Sequence, residues 1–321
     1  MYNGIDDLGG IHVLGGIHVL EAQVAKALKA LIFTVLFLII HFFIMLMTQI
    51  VLGMTIGGAG RGLTALVGSG AAMDPVLLSE AANSATTRIL DFVQKNAGIV
   101  YSISSLTSLL IFIKIYQARK KPLFEVIRMD RRPSGADVRF GAFAGASSNI
   151  FISLVIVALQ NMRLFTDAFS QYETSMSYTF GSGNVLQLML GIGIIAPLVE
   201  EILFRGMITA EFAGAFPLIA SIIFQGVIFG LIHGVPVQIC FTIPLGIYFG
   251  FMLYKTGSIW PGAAAHIAMN STSILLTIPS VNAFFSGSRV VFLAIVLIGI
   301  IMFVGSLVYF IKKEPALTAP V

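Results

Sequence analysis

The chain has 321 residues, 57% hydrophobic and 11% charged, with a formal net charge of +4 and a mean hydropathy of +0.95. That balance excludes an ordinary soluble domain and a disordered chain, and describes a polytopic membrane protein. The basic excess does not call for nucleic acid, because Lys and Arg gather beside hydrophobic stretches, where they set topology; the single cysteine, Cys240, excludes an internal disulfide and a thiolate metal cluster.

Residues 1–27 read as an N-terminal cytoplasmic segment holding a tandem repeat, Gly-Gly-Ile-His-Val-Leu at 9–14 and again at 15–20. Two such short units are too little for a solenoid. The acidic Asp6 and Asp7 stand where a signal peptide would carry basic residues, so the first apolar stretch is expected to remain as an anchor. That stretch, residues 28–53, exceeds the roughly 20 residues a spanning helix needs. His41 within it reads as a neutral histidine bonded to a neighbouring helix. Residues 53–96, rich in Gly, Ala, Ser and Thr, read as a flexible connector with a short amphipathic helix near 75–95. The glycine-rich run at 57–62 lacks the Lys-Ser/Thr ending of a phosphate loop.

A second span at 97–116 leads into a basic loop, 117–139, carrying Arg119, Lys120, Lys121, Arg128, Arg131, Arg132 and Arg139. The positive-inside rule makes that loop cytoplasmic, and with it the N-terminus. A third span at 140–159 is followed by a polar loop through Asn184. Five apolar segments follow, at 185–210, 216–233, 238–254, 261–278 and 290–311, before Lys312 and Lys313. The expected fold is therefore all-α, a polytopic transmembrane helical bundle of about eight spans with both termini cytoplasmic, in the plasma membrane. It divides into a three-span region at 28–184, a membrane core at 185–311 and a cytoplasmic tail at 312–321.

Chemistry concentrates in that core. Glu200, Glu201 and Arg205 lie among apolar residues, where each charge costs about 2.5–3.5 kcal/mol at the bilayer centre on insertion scales and by default marks a functional site. On a helix Glu201 and Arg205 are i, i+4 neighbours with the glutamate N-terminal, the better order for an ion pair. Glu200 points about 100° away. The three charges thus divide into a supporting pair and one free carboxylate suited to general-base work. Phe229 stands one turn behind His233, and His266 and Asn270 share one face of a later helix. Counting rise along the spans at about 1.5 Å per residue puts Glu200 about 20 Å and His233 about 25 Å from the cytoplasmic end, against about 12 Å for His266. Tilt, a break at Pro197 or water-lined helix ends would bring them level.

These segments, Glu200-Glu201-x-x-x-Arg205, Phe229-x-x-x-His233 and His266-x-x-x-Asn270, resemble the three motifs of the CAAX-processing and bacteriocin-processing (CPBP, or Abi) intramembrane protease family. Pro197, Phe204-Arg205-Gly206, Phe229-Gly230 and Gly257-Ser258-Ile259-Trp260-Pro261 resemble the family's flanking residues, and the likeness covers residues 185–276. It implies a glutamate-dependent endopeptidase, related to the CAAX prenyl proteases, acting on membrane-associated peptides or proteins among membrane lipids. Glu200 would activate water with His233, His266 and Asn270 would stabilise the oxyanion, and Glu201 and Arg205, with Phe229 alongside, would hold the site. The resemblance implies metal-free catalysis. Glu200, His233 and His266 also make a possible catalytic zinc set, though His-Glu-x-x-His is missing. A non-catalytic membrane scaffold, a bacteriocin-immunity or regulatory protein, and a transporter are the competing classes.

Overall fold

The computed structural model describes residues 7–68, 74–162, 166–181 and 183–317, and every regular element among them is helical. The first half comprises α1 (Asp7–Thr55), α2 (Gly60–Gly68), α3 (Pro75–Lys95), α4 (Ala97–Ala118), the single turn α5 (Leu123–Val126), α6 (Gly135–Asn161) and α7 (Thr166–Phe180). The second half opens on one long interrupted helix. Its parts are α8 (Val185–Leu188), a π-helical segment at Met189–Ile195, α9 (Ala196–Glu201), a second π-helical segment at Ile202–Ile208 and α10 (Thr209–Ala213). After it come α11 (Leu218–Leu231), α12 (Pro236–Thr256), α13 (Trp260–Leu276), α14 (Pro279–Ser286) and α15 (Arg289–Lys312).

The protein is an integral multi-pass membrane protein. Among the described residues, six helical stretches are long and apolar enough to cross a bilayer: Val19–Thr55, Ala97–Ala118, Gly135–Asn161, Val185–Ala213, Pro236–Thr256 and Arg289–Lys312. The two remaining expected spans, 216–233 and 261–278, form the shorter helices α11 and α13, of 14 and 17 residues. Gly234, left-handed at φ 71°, and Pro236 end one helix and start the next; Gly257, at φ 68°, caps α12 ahead of Pro261. The Gly257 turn is buried, whereas Gly234 and Pro236 are exposed. α11 packs along α12, and α13 along α6 and the first π-helical segment.

Three readings of the N-terminal half change. The repeat lies inside α1, which runs continuously through the expected first span. The connector is largely helical, and α3 begins where Asp74 accepts the Val76 N–H at 2.8 Å and Pro75 opens the first turn. The polar loop before Asn184 contains α7. His41 makes the expected interhelical bond, with Nδ1 3.0 Å from Ser108 Oγ on α4.

The tightest helix pair is α6 with α13. A Cβ on Gly145 would stand 1.7 Å from the Ala265 carbonyl, and one on Gly141 2.3 Å from that of Pro261. Small residues four apart let the backbones meet without a hydrophobic driving force, the usual membrane solution. The foot of α13 is tied to the basic loop: Trp260 Nε1 donates to the Met129 carbonyl at 3.0 Å and Ser258 Oγ to that of Arg131 at 2.8 Å.

Candidate active site

The site begins at Pro197. Its ring nitrogen has no hydrogen to give. In α register residue 197 would donate to the Gly193 carbonyl, and in the π register of Met189–Ile195 to that of Ile192. Both carbonyls are taken by α13 instead. Asn270 Nδ2 donates to Ile192 O at 3.1 Å, and Ser271 Oγ to Gly193 O at 3.4 Å. The missing donor in one helix thus docks the other.

One turn on, α9 presents the two glutamates between its π-helical flanks. Glu201 is fully buried; its Oε1 pairs with Arg205 Nη1 at 2.7 Å and accepts from His266 Nδ1 at 2.9 Å. Its Oε2 faces Gly262, where a Cβ would stand only 3.1 Å away. The Arg205 guanidinium lies 4.3 Å from the Phe229 ring centroid and 5.2 Å from that of Phe249, and donates to the Gly246 carbonyl at 3.3 Å. A buried cation held between aromatic faces, beside its carboxylate, is a built-in support rather than a mobile reagent.

Glu200 is treated differently. Its side chain is 25% exposed, and Oε2 lies 3.7 Å from His266 Nε2. It opens into a cavity of about 330 Å³ also lined by Phe229, His233, His266 and Asn270. His233 Nδ1 donates to the Phe229 carbonyl at 2.7 Å, which leaves its Nε2 a lone pair. His266, with Nδ1 given to Glu201, likewise keeps Nε2 for the cavity. The Phe229 ring meets His233 edge-on at 5.0 Å and His266 at 5.6 Å, so one aromatic ring spaces both imidazoles and backs Arg205.

All four candidate catalytic residues therefore border one cavity. The unequal depths counted along uniform helices do not keep Glu200 from His266, whose Nε2 lies 3.7 Å from Glu200 Oε2. Two positions carry more duties than their spacing suggested. His266 bridges both glutamates, and Asn270 has one amide hydrogen committed to Ile192. Among the described residues no group of three or more His, Cys, Asp or Glu is arranged to hold a metal ion.

The cavity also has a wall that motif reading missed. His41 of α1, Tyr101 of α4, Asn149 of α6, and Tyr172, Met176 and Phe180 of α7 line it. The α7 residues recur every fourth position, one face of a helix whose other positions are mostly polar. Asn149 left little signal, since its role is tertiary: it donates to Met269 O at 2.9 Å and accepts from Ser273 Oγ at 2.9 Å.

Fold and site together define a polytopic helical membrane protein with a glutamate–histidine cavity built inside the bundle. Residues 182–272 match the family model described as type II CAAX prenyl endopeptidase Rce1-like, so the chain carries in this segment a domain of a CAAX protease-like membrane hydrolase family. Glu200, Glu201, Arg205, Phe229, His233, His266 and Asn270 all fall within the matched residues; α1 to α7, α14 and α15 fall outside them. No curated protein and no solved structure matches the chain.

Proposed function

We propose that the protein is an intramembrane endopeptidase that hydrolyses peptide bonds of membrane-associated peptides or proteins with water activated by Glu200. One observation carries this reading: of two adjacent glutamates, Glu201 is enclosed with Arg205 and His266, while Glu200 stays open to a cavity shared with both histidines and Asn270. A water there can give one hydrogen to Glu200 and the other to the His233 lone pair. As its oxygen attacks the scissile carbonyl, Glu200 takes a proton, and later returns it to the leaving amine. The developing oxyanion is met by the second amide hydrogen of Asn270, and by His266 Nε2 when that ring carries both hydrogens.

We place the protein in the cell membrane with both termini cytoplasmic. In support, Lys313 Nζ at the end of α15 lies 3.0 Å from Asp137 at the start of α6, beside the basic loop, so these positive charges share one end of the bundle. The test is hydrolysis of an internally quenched, prenylated CAAX-type peptide by detergent-purified protein. Wild type is expected to cleave it, and cleavage undiminished in Glu200→Gln would sink the proposal.

A further inference from the structure

His41 lies on α1, outside the segment that matches the family model, is only 5% exposed, and lines the same cavity as Glu200, His233 and His266. Its Nδ1 is 3.0 Å from Ser108 Oγ, and Ser108 gives its own hydroxyl hydrogen to the Ser104 carbonyl at 2.9 Å. With its hydrogen so placed, Ser108 accepts from the His41 Nδ1–H. In that tautomer Nε2 is a bare lone pair, with no hydrogen-bond partner among the described residues.

The same polarity recurs around the cavity. His233 spends its Nδ1 hydrogen on Phe229 O, so the imidazoles of His41 and His233 and the Glu200 carboxylate all present acceptors. Hydrocarbon offers such groups nothing. The two hydrogens of one attacking water are used by Glu200 and His233. What remains for His41 is an N–H of the occupant, and an extended peptide inside a membrane protein carries backbone N–H groups that must find acceptors.

We infer that His41 is a substrate-binding residue whose Nε2 accepts a hydrogen bond from a backbone N–H of the peptide in the cavity. This rests on the endopeptidase reading. The motif-bearing helices supply the hydrolytic groups, and α1 sets where along the peptide Glu200 acts. A bond present in both the bound and the transition state raises affinity without raising turnover.

The experiment compares wild type with His41→Asn, whose amide nitrogen can still reach Ser108 but whose side chain ends short of the Nε2 position. Both are assayed on the quenched prenylated peptide and on versions N-methylated at one backbone nitrogen each. His41→Asn should raise KM about tenfold, the worth of one hydrogen bond of about 1.4 kcal/mol, with kcat and the thermal midpoint unchanged. At one position N-methylation should cost wild type a similar factor and cost His41→Asn nothing more. An unchanged KM, or N-methyl penalties identical in the two proteins, would overturn the assignment. If His41→Asn does not fold, His41→Gln, which extends an acceptor towards the cavity, takes its place and should keep the N-methyl penalty; its loss overturns the proposal. Peptide binding to Glu200→Gln, measured by fluorescence anisotropy with and without His41→Asn, separates the two readings. A tenfold difference in Kd keeps His41 as the peptide contact even if wild type cleaves nothing, and equal affinities reject it.

Discussion

Asp137, at the foot of α6, and Glu200, in the interrupted helix, are both carboxylates held among apolar helices, and their surroundings differ in kind. Asp137 is 2% exposed and accepts from the Ser134 N–H at 2.9 Å, the Ser134 hydroxyl at 2.8 Å and the Tyr309 hydroxyl at 2.9 Å, with Lys313 at 3.0 Å. Glu200 has His266 at 3.7 Å and an open cavity. A carboxylate whose lone pairs are all answered fastens helices together; one left incomplete can bind or take something else. The Glu201–Arg205–His266 cluster stands between the two, buried like Asp137 but with Glu201 Oε2 lacking a hydrogen-bond partner among the described residues, and holding a ring that faces the cavity.

Substitutions can break this contrast in graded ways. Glu200→Gln keeps the shape of an open site, so hydrolysis should fall by about 10³-fold, the scale of a lost general base, while the detergent melting curve stays in place. Arg205→Leu removes one partner of a buried pair and should destabilise by about 3–5 kcal/mol, seen as a lower thermal midpoint together with lost activity. Asp137→Asn leaves its donors partly unanswered and should cost about 1–3 kcal/mol of stability with kcat unaltered; a fall in kcat at full stability would show that the foot of the bundle takes part in the chemistry. Pro197→Ala restores an N–H that competes for the Ile192 and Gly193 carbonyls. Stability should barely change, and hydrolysis should drop severalfold as Asn270 loses its anchor, read as kcat on the same peptide.

Much of this was legible before any coordinates. The pairing of Glu201 with Arg205 follows from four-residue spacing on a helix, and so does the stacking of Phe229 behind His233. Apolar length found the spans, and a short helix was expected near 75–95. The misses share a cause. α7 was hidden because its apolar positions, Tyr172, Met176 and Phe180, are diluted by polar residues facing elsewhere. The reach of α11 and α13 was overestimated because apolar composition runs on past Leu231 and Leu276, where the two helices end.

The sequence by itself determined the helices, their membrane character, and which polar residues share a face, since those depend on neighbours within about a turn. Only the tertiary structure decided that His266 bridges Glu200 and Glu201, that Asn270 and Ser271 complete the helix broken by Pro197, and that His41 and α7 wall the same cavity. Those contacts join residues from 65 to 78 positions apart where they are hydrogen bonds, and helix register and the π turns set them. No local pattern encodes either.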